Sequence, residues 1–152
     1  MYEEQRINAL ELLGASMTNQ DPDSYETEKA FSYMKRAMKE RYADPSCPLL
    51  KRKIKPVKDY ENRTESQTLE ELSPLKDDNH AIRMEGLIIK ERVLGTDSSA
   101  LLKDMRSYGT VLADSDQYGL CIGLCKRAME IAMNCGAPIT HELQMLPWLY
   151  SY

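Results

Sequence analysis

The sequence has little aromatic bulk with which to build a core. It contains one phenylalanine and one tryptophan, but nine methionines. Methionine is flexible and fills irregular gaps between packed helices, so we expect helices that tolerate an imprecise fit. No strand pattern, in which apolar and polar residues alternate, competes with the helical periodicity described below.

No apolar run approaches the roughly 20 residues that a membrane-spanning helix needs. The first six residues include charged side chains and no apolar segment of a signal peptide follows, so we expect thiols rather than disulfides, in the cytoplasm or the nucleus. The net charge of −4 argues against a general nucleic-acid binder. We therefore expect protein partners and no nucleic acid, membrane or small-molecule substrate.

Motifs of catalysis are also missing. The sequence has no glycine-rich phosphate loop, no HExxH zinc motif and no nucleophile elbow. Cys47 lies between Ser46 and Pro48, with no base next to it in the sequence. An enzyme is thus the least favoured interpretation, and we expect no catalytic residue, cofactor or metal.

Helical periodicity and helix end signals predict five helices. Apolar residues recur at three- and four-residue steps in the first, and Asp21-Pro22 ends it. Asp23 and Glu26 have the spacing of a capping box. The predicted helices lie at about 7–17, 24–42, 77–94, 98–114 and 116–134, and the predicted apolar face of the first is Ile7, Leu10, Leu13 and Met17.

The chain divides into four predicted parts. Residues 1–42 form a first helix pair, and residues 43–76 form a basic connector that four prolines keep from being one long helix. A short helical turn at 69–72 is expected within the connector. Residues 77–135 hold the third helix and a second helix pair, and residues 136–152 form a tail.

The two helix pairs share the tetratricopeptide pattern, in which small residues lie where two helices approach closely. We expect Gly109 in the last pair to face Ala128, and Gly86 to mark a half-visible third copy. The predicted repeat-core residues are Leu13, Gly14, Ala30, Ala37, Gly86, Gly109, Cys121 and Ala128. The predicted fold is therefore all-α, a short helical repeat array of tetratricopeptide-like antiparallel helix pairs.

Several segments, in one order, resemble the tetratricopeptide region of the feminization-one (Fem-one) homologues. These segments are RINALELLGA (6–15), NRTE (62–65), MEGLI (84–88), ERVLG (91–95), GxVxAD (109–114, where x is any residue) and CI (121–122). The sequence departs from the family pattern at Ser107, Tyr108, Leu112 and Cys125, and the tail from residue 139 loses the match.

The resemblance implies a function. Family members are substrate receptors of a cullin-two RING ubiquitin ligase. Their ankyrin repeats read a degron on the substrate, and a later box binds elongin and cullin. This chain resembles the middle of such a protein, so the resemblance implies a non-catalytic scaffold segment in ubiquitin-dependent protein degradation. The alternative is a generic tetratricopeptide peptide-binding module of the kinesin-light-chain type.

Three features allow a second interpretation. Cys121, Cys125, Cys135 and His141 could bind zinc, but Cys121 and Cys125 fall on repeat-core positions, so core packing is favoured. The basic run 51–58 could be a nuclear import signal or a phosphate-binding patch, but solvated loop charge is favoured. The apolar end of the tail, around Trp148, is expected to fold back beside Tyr118 and Ile122, or else to leave an exposed apolar patch.

Overall fold

The computed structural model describes residues 2–18 and 24–134. Within these ranges all regular structure is helical, which confirms the all-α prediction. The α-helices are α1 (Tyr2–Met17), α2 (Ser24–Arg41), α3 (Leu69–Leu72), α4 (Asn79–Leu94), α5 (Ser99–Asp114) and α6 (Tyr118–Asn134), with 3₁₀ turns at Lys58–Tyr60 and Ser73–Asp77. Of the helices in the described ranges, none combines the length and apolar character that crossing a membrane requires.

The described residues fall into two compact units. The first comprises the described residues up to Lys55 together with Thr64–Val93, and the second comprises Pro56–Arg63 and the described residues from Leu94 to Asn134. Helix α4, which we grouped with the last helix pair from the sequence, therefore belongs with the first pair. The connector is likewise shared between the units rather than standing apart from them.

The first unit is built on the antiparallel pair α1 and α2. Arg6 near the start of α1 reaches Glu40 near the end of α2, and Gly14 near the end of α1 lies against Ala30 of α2. The core of this unit combines both helices with α3 and α4, and its buried members are Ala15, Ala30, Phe31, Met34, Met38, Leu72, Ile82 and Ile89. The buried face of α2 thus includes Ala30, one of the predicted repeat-core residues.

The buried face of α1 differs from the prediction. Ile7, Glu11, Ala15 and Thr18 are buried, whereas Leu13 is 43% exposed. The small residues on this face let neighbouring helices approach closely. Glu11 can point inward because three cations form ion pairs with its carboxylate there. Of the predicted stripe, Ile7 is buried and Met17 packs against the core, whereas Leu13 lies on the exposed side, so the buried face is shifted toward Glu11 and Ala15.

The second unit contains the antiparallel pair α5 and α6. The thiol of Cys121 near the start of α6 donates to the carbonyl oxygen of Gly109 at 3.0 Å, and Asn134 at the end of α6 donates to the carbonyl oxygen of Thr96, just before α5, at 3.3 Å. Tyr60, from the short turn before this pair, is buried, and the guanidinium carbon of Arg127 lies 6.0 Å from its ring centre. The turn is thereby packed against α6.

Helix ends follow the local signals in most places. The Asp78 carboxylate accepts from the Ala81 amide at 3.0 Å at the start of α4, Gly95 follows α4 with φ +89°, and the Ser98 hydroxyl accepts from the Leu101 amide at 3.4 Å. Asp116 differs from the prediction, because it has φ +62° in the turn before α6 and does not cap the helix. The signals at 21–23 and the tail 136–152 lie outside the described residues.

Candidate functional site: a buried ion network in the first unit

Glu11 of α1 is the centre of a buried cluster of charges. Its carboxylate accepts from Arg41 of α2 at 2.8 and 3.0 Å, from Arg92 of α4 at 2.7 Å, and lies 3.4 Å from the Lys51 ammonium. The Glu11 side chain is 1% exposed. Burial alone would raise the pKa of Glu11, but the Arg41 hydrogen bond and the charges of Lys51 and Arg92 outweigh this effect and hold that pKa below its usual value.

A second carboxylate, Glu65 of the connector, completes the cluster. It lies 2.8 Å from the Lys51 ammonium and forms a two-point pair with the Arg92 guanidinium, whose Nη2 donates to Glu65 Oε2 at 3.1 Å and whose Nε donates to Oε1. Burial disfavours the charge of Arg92, yet Glu65 and Glu11 raise its pKa above the usual value. We call Glu11, Arg41, Lys51, Glu65 and Arg92 the ion network.

Uncharged oxygen atoms accept further hydrogen bonds from the cations of the ion network. The Asn8 side-chain oxygen accepts from Arg41 at 2.8 Å and from Arg92 at 3.0 Å. The carbonyl oxygen of Leu49 accepts from Arg41 at 2.8 Å, and that of Ser66 accepts from Lys51 at 2.9 Å. The network thus joins α1, α2 and α4 to two stretches of the connector. Buried polar clusters satisfied in this way fix one arrangement of the chain, because any shift leaves a charge unpaired.

Glu85 of α4 borders the ion network on the connector side. Its Oε1 accepts from the Ser66 amide at 2.9 Å, and the side chain is buried. Burial raises the pKa of Glu85 to about 7, with Lys51 lowering it and Glu65 raising it. The network itself pairs three cations with two carboxylates, so an ionised Glu85 supplies a third negative charge to the same region.

The basic run 51–58 is divided by this arrangement. Lys51 is buried in the ion network, which is contrary to our expectation of solvated loop charge, whereas Arg52, Lys53 and Lys55 are exposed. Arg52 donates to the carbonyl oxygen of Arg92, in the last turn of α4, at 3.1 Å. A cation at the carboxyl end of a helix opposes the helix dipole there. No local signal distinguished Lys51 from its neighbours.

Comparison with known proteins finds several with similar sequences. The chain is 35% identical over 136 residues to protein fem-1 homolog C of Danio rerio, which covers 90% of this chain and 22% of that protein. It is 35% identical over 141 residues to protein fem-1 homolog C of Homo sapiens, with the same coverage, and 33% identical over 141 residues to protein fem-1 homolog CG6966 of Drosophila melanogaster. This chain is similar to one part of the Fem-1 homologues. It spans about a fifth of the length of these relatives.

A scan against models of protein families finds no match. The Fem-1 relationship therefore rests on direct similarity. Four of the six segments that resemble the family contribute to the first unit: Glu11 lies in RINALELLGA, Glu65 in NRTE, Glu85 in MEGLI and Arg92 in ERVLG. Segments from α1, the connector and α4 thus each contribute a side chain to the ion network or to its border.

The predicted repeat-core residues are placed as follows. Leu13 departs from the prediction, as described above. The other seven are buried: Gly14, Ala30, Ala37, Gly86, Gly109, Cys121 and Ala128. Their equivalence as positions of one repeat stays a prediction. Gly109 does not face Ala128 as we expected, because the closest group to a Cβ built on Gly109 is the Cys121 sulfur, at 3.8 Å.

Two glycines of the first unit permit close helix contacts. A Cβ on Gly86 of α4 would lie 2.8 Å from the Thr18 hydroxyl oxygen, and a Cβ on Gly14 would lie 3.0 Å from the Ala30 carbonyl oxygen. Both distances are too short for ordinary contact. A side chain at either position would force its neighbour to shift, most at Gly86, so the two glycines allow α4 and α2 to approach α1 closely.

The cysteines of α6 lie in the core of the second helix pair. Cys121 and Cys125 are buried, and burial raises the pKa of the Cys121 thiol while a hydrogen bond with Cys125 lowers it. The Cys121 thiol donates to Gly109, as given above, so it has a partner within the pair. Cys135 and His141, the other members of the considered zinc site, lie outside the described residues.

Proposed function

We propose that this chain is a non-catalytic scaffold segment of the substrate-recognition subunit of a cullin-two RING ubiquitin ligase, and that it acts in the cytoplasm or the nucleus. The observation that carries the proposal is the relationship to the Fem-1 homologues over nine-tenths of the chain. The segment's direct role is to connect the degron-reading repeats to the cullin-binding part of a longer protein. Its partners are proteins.

The ion network supports a role as a rigid connection. A segment that links two binding sites must hold them at one distance and orientation, because ubiquitin transfer depends on where the substrate is presented. The network ties α1, α2, α4 and the connector together through buried charges, whose side chains are 1–6% exposed. The charged side chains of this cluster are paired with one another, so their arrangement serves positioning rather than proton transfer or nucleophilic attack.

A replacement experiment tests the proposal. The 141-residue matched segment of human fem-1 homolog C is exchanged for this chain, and the chimera is assembled with cullin-two, the elongins and a degron-bearing substrate. We expect the chimera to bind both sides and to support ubiquitin transfer. The matched control replaces the same segment with a glycine-serine linker of equal length, which should still bind at each end but should transfer poorly.

The chain by itself is a second control. It should not support ubiquitin transfer with the same ligase components, because the proposal assigns it neither degron reading nor cullin binding. Transfer by the isolated chain would overturn the proposal. So would a chimera that folds, as measured by circular dichroism, yet transfers ubiquitin no better than the linker control.

A further inference from the structure

Ser73, at the junction between α3 and the 3₁₀ turn Ser73–Asp77, is the only hydroxyl residue of the sequence that a proline follows. The sequence has seven prolines, and only Pro74 comes directly after a serine or threonine. Lys76 comes three residues after Ser73. Proline-directed protein kinases phosphorylate a serine or threonine that precedes proline, and several of them also select a basic residue three positions after it. The sequence thus offers this class of kinase a single acceptor.

The structure turns the residues of this motif outward. Ser73, Pro74 and Lys76 are exposed, whereas Leu72 is buried and Leu75 packs against the core of the first unit. A 3₁₀ helix has three residues per turn, so Ser73 and Lys76 lie on the same side of it. The residues that a kinase reads are therefore at the surface, and the leucines beside them hold the segment in place.

The segment that carries the motif is short enough to open locally. Helix α3 has four residues and the turn that follows has five, and helices of such length are not stable by themselves. Contacts of their leucines with the core hold them, together with the Ser73 hydroxyl, which donates to the Leu69 carbonyl oxygen at 2.7 Å. Opening such a segment costs less free energy than unfolding the whole protein. A kinase can therefore bind these residues in extended form while the rest of the first unit stays folded.

We propose that Ser73 is a phosphorylation site for a proline-directed protein kinase, and that the phosphate releases α3 and the turn after it from the core of the first unit. In the reaction, the Ser73 Oγ forms a bond to the γ-phosphorus of ATP. The bond between that phosphorus and the bridging oxygen breaks, so that ADP leaves, and the hydroxyl proton passes to the catalytic carboxylate of the kinase.

The phosphate weakens the packing of this segment in two ways. It removes the hydroxyl proton that is donated to the Leu69 carbonyl oxygen. It also adds a charge of about −1.5 to −2 at pH 7 to a segment that is already acidic. Residues 70–78 contain four acidic side chains and one basic side chain, namely Glu70, Glu71, Asp77, Asp78 and Lys76. Glu70 precedes Ser73 by three residues, which places both on one side of the helix, so the like charges repel.

Incubation of the full chain with ATP and a purified cyclin-dependent kinase, a member of the proline-directed class, tests the proposal. We expect mass spectrometry to find phosphate on Ser73, and amide hydrogen exchange over residues 69–77 to become faster. Pro74→Ala keeps the acceptor but removes the proline that the kinase reads, so it should lose the phosphate. Ser73→Asp should accelerate the exchange without kinase, and by more than Ser73→Asn, the uncharged matched control of similar size.

Two results would overturn the proposal. The first is the absence of phosphate on Ser73 under conditions in which the same kinase phosphorylates a reference Ser-Pro peptide. The second is a chain phosphorylated on Ser73 whose hydrogen exchange over residues 69–77 equals that of the unmodified chain. If Pro74→Ala lowers the melting temperature, Lys76→Gln, at an exposed position, replaces it as the variant that the kinase should phosphorylate more slowly.

Discussion

Arg41 of α2 and Glu11 of α1 form a two-point ion pair in the first unit: Nε donates to Oε2 at 3.0 Å, and Nη2 donates to Oε1 at 2.8 Å. Both side chains are 1% exposed. An ion pair in such a place contributes less net stability than its geometry suggests, because both charges lose their hydration. Removing one member of the pair has a larger effect on stability, because it leaves the other charge buried without its partner.

Glu11→Gln should strongly destabilise the protein. The substitution keeps the shape of the side chain but leaves Arg41, Lys51 and Arg92 with less compensating charge in a buried place. Removing one partner of a buried pair costs about 3–5 kcal/mol, and we expect a loss of unfolding free energy of this size in urea titrations. Glu28→Gln, at an exposed position of α2, is the matched control. A loss no larger than that of the control would show that the network contributes nothing to stability.

The stability of the protein should depend on pH through Glu85. The native pKa of about 7 lies above the ordinary glutamate value of 4.5, so the folded state binds a proton more tightly than the unfolded state does. The contribution of Glu85 to stability is therefore fully present below pH 4.5 and is lost as the pH rises through 7. Glu85→Gln keeps an acceptor for the Ser66 amide and cannot ionise.

We therefore expect unfolding free energies of Glu85→Gln to fall less between pH 5 and 8 than those of the native chain. Over this pH range, the loss of unfolding free energy should be smaller for Glu85→Gln than for the native chain by a value on the order of 3 kcal/mol. The other ionisable groups are the same in both proteins, so their contributions cancel in this comparison. Parallel curves across that range would mean that Glu85 is already ionised when the protein is folded at pH 5.

Gly86→Ala should destabilise the contact between α4 and α1. The new methyl group would lie 2.8 Å from the Thr18 hydroxyl oxygen, which is held by its own hydrogen bond to the Ala15 carbonyl oxygen at 2.7 Å. Overpacking of this kind costs about 1–3 kcal/mol. Adding Thr18→Ala should recover part of the loss, because it removes the colliding group. Gly119→Ala, whose methyl group meets nothing within 4 Å, serves as the control in the same thermal melts.

Gly109→Ala should be tolerated. Its methyl group would lie 3.8 Å from the Cys121 sulfur, which is an ordinary contact distance. Alanine inside a helix is favoured over glycine by about 1 kcal/mol, so we expect a melting temperature equal to or above that of the native chain. A clear decrease would indicate that α5 and α6 approach more closely at this point than the structure shows.

The positions of the helices could be predicted from the sequence because the signals are local. Apolar spacing, the Ser98 cap and the left-handed Gly95 each act within one or two helical turns, and the structure places helices where they predict them. Asp116 shows the limit of such signals. Its residue type suits a helix cap and a left-handed turn equally well, and the structure has the turn, with Asp116 at φ +62°.

The sequence by itself thus determined that the chain is helical, roughly where each helix begins and ends, and that it resembles the Fem-1 homologues. Only the tertiary structure decided which face of α1 is buried and which lysine of the basic run is buried. Glu11 and Arg92 are 81 positions apart in the chain, and Arg41 and Lys51 come from two further segments. Whether each charged side chain is buried depends on which helices approach at Gly14 and Gly86. A carboxylate can be buried only where cations from distant positions of the chain meet it. No window of neighbouring residues contains that information.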